Sequence, residues 1–185
     1  MRIGRITNSS DLEAQELIAL HSETFPKYER FQETPLLANM IDNEQSMRFN
    51  AIYENDVLVG FFIYWDLEDS FYIHFIAVFP EMRNYKIGQK ILDWISENLH
   101  QPVFLESEIP YDEMTSRRLN FYKRNGFQEL ANDPEILAED RRGGHPLWFM
   151  GTQPVNDLES YLIKIKSRYI MQQENKVNTR IIFGY

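Results

Sequence analysis

The chain has 185 residues, 43% hydrophobic and 25% charged, the profile of a single globular domain with room for a core. Its formal charge of −9 argues against a general nucleic-acid role, which needs a basic face, and suits a cationic small molecule or peptide amine better. It contains no Cys, which removes disulfides, thiolate metal sites and a Cys acyl-enzyme, and its four His lack metal-ligand spacing, so no metal is expected.

The stretch MRIGRITNSS shows no apolar signal region, and no run nears the ~20 apolar residues of a membrane span, so a cytoplasmic location without a membrane partner is expected. Arg2–Thr7 alternates and reads as a first strand. Ser9 or Ser10 is placed to cap a helix carrying Leu12, Leu17, Ile18 and Leu20. Pro35 fits the first turn of a second helix, Pro35–Ile41. Arg48–Tyr53 and Val57–Trp65 form a hairpin across Glu54-Asn55-Asp56, and the second, nearly all apolar, should be central in a sheet.

Phe71–Phe79 is apolar and aromatic apart from His74, as in a strand covered on both faces, and Pro80 ends it. Alternation puts Tyr72, His74, Ile76 and Val78 on one face. After Arg83-Asn84-Tyr85-Lys86, the spacing of Ile87, Ile91, Leu92, Ile95 and Leu99 predicts a helix from about Lys86 to Leu99. Its first turns carry Lys86, Gly88 and Lys90 and no acid before Asp93. Free N–H groups, the helix dipole and these cations suit an anion. A βα turn with solvated cations reads equally well from the spacing alone. Pro102–Glu108 reads as a strand, Thr115–Arg124 as a helix with Asn125-Gly126 as its cap, and Phe127–Leu130 and Leu147–Met150 as strands around a loop, Asn132–Gly144. Leu158, Tyr161, Leu162 and Ile165 mark an amphipathic helix over about Asp157–Tyr169, and Ile181-Ile182-Phe183 a last strand.

Two of these stretches resemble one family. Ile76-Ala77-Val78-Phe79-Pro80 followed by Arg83-x-x-Lys86-x-Gly88 is similar to the acetyl-CoA motif of the GNAT superfamily of N-acetyltransferases, with Lys86 where the first Gly is usual. Leu119-Asn120-Phe121-Tyr122-Lys123-Arg124-Asn125-Gly126-Phe127, with Tyr122 34 residues beyond Gly88, resembles the family's Tyr-x-x-x-Gly-Phe passage. The resemblance covers about residues 1–152 and leaves 153–185 as an extension, packed on the domain or on a second subunit of a homodimer. It implies a mixed α/β (α+β) fold: a mostly antiparallel sheet of about seven strands with a splayed central pair, flanked by helices.

The resemblance also implies a function, acetyl-CoA-dependent transfer of an acetyl group to a primary amine, small molecule or peptide, by direct attack in a ternary complex. The alternative is a non-catalytic acyl-CoA-binding or sensing protein of the same fold. The residues matching the family's donor site are Ile76, Ala77, Val78, Arg83, Asn84, Tyr85, Lys86, Ile87, Gly88, Gln89 and Tyr122. Pantetheine would lie between the splayed strands, with the main-chain N–H of Val78 on the thioester carbonyl. Tyr122 matches the tyrosine that gives the departing sulfur a proton. His74 stands where some members, the arylalkylamine acetyltransferases among them, carry a catalytic His, and is the candidate base; Glu106 or Glu108 through water is the rival. The aromatic, charged Phe25–Arg30 segment resembles an acceptor wall of small bacterial members.

Overall fold

The computed structural model describes residues 1–25, 34–83, 85–131, 147–155 and 157–174. The predicted loop Asn132–Gly144, the final strand at 181–183 and most of the Phe25–Arg30 segment lie outside them. The order of elements is β1 (Arg2–Ile6), α1 (Leu12–Thr24), α2 (Thr34–Asn43), β2 (Met47–Glu54), β3 (Val57–Asp66), β4 (Phe71–Val78), α3 (Ile87–Asn98), β5 (Val103–Glu108), α4 (Glu113–Arg124), β6 (Gln128–Ala131), β7 (Leu147–Gly151) and α5 (Leu158–Glu174). The strands form a seven-stranded sheet in the order β1-β2-β3-β4-β5-β7-β6. Only β4 and β5 pair in parallel among these strands, so the sheet is mixed and mostly antiparallel, as the resemblance implies.

Both faces of the sheet are covered, which is why β3 and β4 read as continuous apolar runs. One face packs Phe49, Phe61, Phe75, Phe104 and Phe149 against Leu17 of α1, Met40 of α2 and Leu162 of α5. The other packs Phe62, Ile73 and Leu105 against Ile91 and Ile95 of α3 and Leu119 of α4. The extension therefore contributes to the core of this chain: Leu162 is 4% exposed, and Tyr161 meets Phe104 at 4.9 Å between ring centres. Lys164 ties the same helix to Asp69 at 2.6 Å.

Two local expectations change. The N-cap of α1 is Asp11, not Ser9 or Ser10. Ser9 is taken by α2, where Asp42 accepts from its N–H and its hydroxyl at 2.7 and 2.8 Å. Leu12 then falls on the outer face, 89% exposed. Helix α4 begins two residues earlier than the apolar spacing shows, because Asp112 and Thr115 form a reciprocal capping box.

Gly60 pairs opposite Val78 in the β3–β4 register and presents no side chain to the facing strand. A Cβ there would lie 2.2 Å from the Ala77 carbonyl oxygen and 2.9 Å from Val78 Cα. Both neighbours are backbone, so no rotamer change relieves the clash. Gly60→Ala is expected to destabilise the fold by about 1–3 kcal/mol, the scale of core overpacking. Thermal melting reads this; an unchanged melting temperature would mean that the strands can separate without cost.

Candidate active site

β4 and β5 share only three register pairs, Phe71 with Val103, Tyr72 with Phe104 and Ile73 with Leu105. Beyond Ile73 they part, and the splay expected from the resemblance opens there. Phe79 N–H donates to the Val59 carbonyl of β3 at 3.0 Å. Successive N–H groups of a strand point to opposite edges. The Val78 N–H is therefore directed away from β3, to the edge that β5 has left.

The end of β4 leads through a single 3-10 turn, Pro80–Met82, and a loop into α3. Lys86 is the N-cap of α3 and lies in the left-handed region, at φ 58° and ψ 25°. That geometry accounts for Gly being usual at this position in the motif. The first turn has no acid and the cap makes no side-chain bond, so the initial N–H groups remain open to a ligand.

A cleft of about 560 Å³ lies over this helix start. Of the residues predicted for the donor, Val78, Arg83, Lys86, Ile87, Gly88 and Gln89 line it. Two lining residues were missed from sequence, Met82 and Phe121. The Cα hydrogen of Gly88 faces Phe121, whose Cζ would meet an added Cβ at 3.6 Å, so any larger side chain enters the cleft. Ile76 packs on the α3/α4 side of the sheet, whereas Ala77 is buried on the opposite side. Tyr85 is 64% exposed, and Asn84 lies outside the described residues. The cleft fits a polyphosphate: two cationic side chains, uncapped N–H groups and a glycine that lets a ligand reach the backbone.

Tyr122 stands on the last turn of α4, edge-on to Phe127 at 6.0 Å and beside Phe121 at 5.6 Å between ring centres. Burial pushes its phenol pKa up, partly offset by the positive charge of Arg118, so the hydroxyl keeps its proton at neutral pH. The helix end beneath it is fixed by Asn125 and by Gly126 at φ 87°, with Phe127 N–H returning to the Tyr122 carbonyl at 3.2 Å. Asn125 and Gln89 exchange side-chain amide bonds, at 2.5 Å from Gln89 Nε2 to Asn125 Oδ1 and 3.3 Å in return. This pair joins the start of α3 to the end of α4, so the helix that carries Tyr122 is held in register with the helix start that lines the cleft.

His74 keeps the face of Tyr72, as alternation predicts, but Ile76 and Val78 fall on the opposite face. The β3–β4 register steps from Ile63–Phe75 to Tyr64–Ile73 and skips His74, a β-bulge. The extra residue inverts the count. Ile73, Ile76 and Val78 share the α3/α4 face, while Tyr72, Phe75 and Ala77 share the other. His74 belongs with the second group, its ring stacked on Phe75 at 4.0 Å and 5.5 Å from Tyr72. Trp65 Nε1 donates to its Nδ1 at 3.2 Å. Tyr122, which is not among the residues lining the cleft, and His74 thus lie on opposite faces of the sheet. Glu106 follows Phe104 in alternation and pairs in register with Phe149, on the face of His74. Glu108 is ion-paired with Arg118.

The left-handed Lys86 generates a prediction. A left-handed residue costs roughly 1–2 kcal/mol when it is not glycine, and Gly loses about 0.4–1 kcal/mol through its larger unfolded-chain entropy. Lys86→Gly should therefore leave stability unchanged or raise it by up to about 1.6 kcal/mol. Denaturant titration measures this; a clear loss of stability would show that the Lys86 side chain holds the loop.

Comparison with known proteins places the chain. Residues 45–129 match the family model for the acetyltransferase (GNAT) domain. A solved structure from Bacteroides thetaiotaomicron, assigned to the GNAT family of acetyltransferases, is 30% identical; the alignment covers 93% of this chain and 98% of that one, with a TM-score of 0.78. An aminoglycoside 6'-N-acetyltransferase complexed with coenzyme A superposes with a TM-score of 0.60 at 16% identity, over 85% of this chain and 100% of that one. A spermidine N-acetyltransferase chimera from Vibrio cholerae and hSSAT gives 0.62 at 12%, over 92% and 99%. These last two show the shared fold alone. No curated protein matches the sequence. The fold, the parted strands and the 30% identical relative lead to one conclusion: the chain belongs to the GNAT family of acetyltransferases.

Proposed function

We propose that the protein transfers an acetyl group from acetyl-CoA to a primary amine by direct attack in a ternary complex. The observation that carries this reading is the parting of β4 from β5 beside the Arg83–Gln89 cleft. The cleft holds the pyrophosphate on the α3 N–H groups, with Arg83 and Lys86 supplying charge. The opened strand edge receives the pantetheine arm. The coenzyme A complex of the aminoglycoside acetyltransferase, which has the same fold, supports the donor.

The chemistry then follows from three groups of this chain. The amine nitrogen bonds to the acetyl carbonyl carbon while the carbonyl oxygen takes negative charge. The Val78 N–H, held at an edge free of β5, is a fixed donor for that oxygen. The carbon–sulfur bond breaks, and the thiolate takes a proton from Tyr122, whose raised pKa keeps it protonated until then. The amine's proton leaves on the other face, to His74 directly or to Glu106 through water. The chain has no Cys, so an acyl-enzyme on a thiol is excluded. The net charge of −9 favours a cationic acceptor.

The experiment is a thiol-release screen with acetyl-CoA over simple amines, polyamines, aminoglycosides and peptide N-termini. Turnover of one class is the expected result. Tight acetyl-CoA binding without turnover of any class would favour the non-catalytic sensing reading. With a substrate in hand, Tyr122→Phe should lower turnover by about 100-fold or more, the range of general acid catalysis. Acetyl-CoA affinity by calorimetry should hardly change, because the ring packing is kept. A variant that turns over within about twofold of the unaltered protein falls well below that range and removes the acid role from Tyr122.

A further inference from the structure

We propose that Trp65 is a positioning residue that fixes His74 as the Nε2–H tautomer, so that His74 gives a hydrogen bond at the acceptor face instead of taking a proton there. The inference rests on the acetyl-transfer reading above. A neutral imidazole has one lone pair and one N–H. The Trp65 indole is only a donor, and it points Nε1–H at His74 Nδ1 over 3.2 Å. The lone pair is thus used at Nδ1, and the ring proton stands on Nε2. Protonating His74 would set two donors against each other at Nδ1.

The arrangement is built into the fold. Trp65 is 3% exposed and pairs in register with Tyr72 across β3 and β4. The bulge that skips His74 turns its ring onto Phe75, under the indole. Among the described residues, the groups around it include Trp65 from β3, Tyr72 and Phe75 from β4, and, one ring further, His21 of α1, which meets Phe75 edge-on at 4.7 Å. From β5, Glu106 lies on the same face, one residue beyond the last β4–β5 pair, as His74 does on β4. With His74 a donor, Glu106 becomes the group that accepts the amine's proton through water, and His74 orients that water or the acceptor by its Nε2–H.

The test has two arms, both on the full chain. In the first, histidine is labelled with nitrogen-15 and the ring nitrogens are read by proton–nitrogen correlation at neutral pH. The proposal expects His74 to show a bare Nδ1 and a protonated Nε2, and Trp65→Phe to turn this into a mixture of tautomers. A wild-type His74 with its proton on Nδ1 overturns the proposal, whether or not the Trp65 variant folds. In the second arm, Glu106→Gln is expected to lose about 100-fold or more in turnover. His74→Gln, which keeps an N–H donor, is expected to lose much less, about tenfold. The reverse order overturns the proposal. If no amine is acetylated by the unaltered protein, the acetyl-transfer reading fails, and the spectrum still decides the tautomer.

Discussion

The site depends on where β4 and β5 stop pairing. A parallel pair in mid-sheet has both edges occupied, and neither strand has a main-chain donor to give to a ligand. Here the ladder ends at Ile73 and Leu105, and among the described strands the last residues of β4 pair only with β3. Two features of β4 and β3 set this geometry. The bulge at His74 adds a residue at the point of parting and increases the local twist. Gly60 lets the end of β4 lie close against β3, with no Cβ between them. The strand turns from β5 and is held on its other side by β3, so the Val78 N–H is directed to the edge that β5 has left.

Around that opening, the two helices of one face are held by polar contacts that contribute more to position than to stability. The amide exchange between Gln89 and Asn125 joins α3 to α4. Lys90 reaches Glu54 on β2 at 2.7 Å, and this bond is the largest cause holding the Glu54 carboxyl below its usual range. The pair is half-buried, and a single ion pair of this kind contributes modestly to stability. The core under α3, built from Ile87, Ile91, Leu92 and Ile95, supplies most of the binding of that helix to the sheet. The polar links choose the register in which the apolar face is buried, and that register places Phe121 at the cleft, with Tyr122 next to it on the same helix.

Much of this was legible in the sequence. The long apolar run of β4, the Gly and cations after it, and the Tyr122-to-Phe127 passage are local patterns whose chemistry is carried by the residues themselves. The splay was accessible only through the family resemblance, because no pattern in β5 announces that its partner leaves. The separation of His74 from Ile76 and Val78 has a clear cause: alternation counts residues, and a bulge adds one without a sequence mark. Ser9, Ser10 and Asp11 are about equal as caps by residue type; tertiary contact with Asp42 takes the Ser9 hydroxyl, and the helix starts after Asp11. Met82 and Phe121 could have been found only by knowing that the turn after β4 and the end of α4 meet. Gly60 carried no signal beyond being a glycine in a strand, which commonly marks a bulge or a close approach.

A crystal structure of the protein with coenzyme A bound tests the site most directly. The pyrophosphate is expected within hydrogen-bond distance of the main-chain N–H groups at residues 86–88, with Arg83 beside it. The pantetheine arm is expected between β4 and β5, with the thiol near the Tyr122 hydroxyl. Coenzyme A seated elsewhere on the protein, or a β4–β5 edge closed by re-pairing of the strands, would contradict this site assignment.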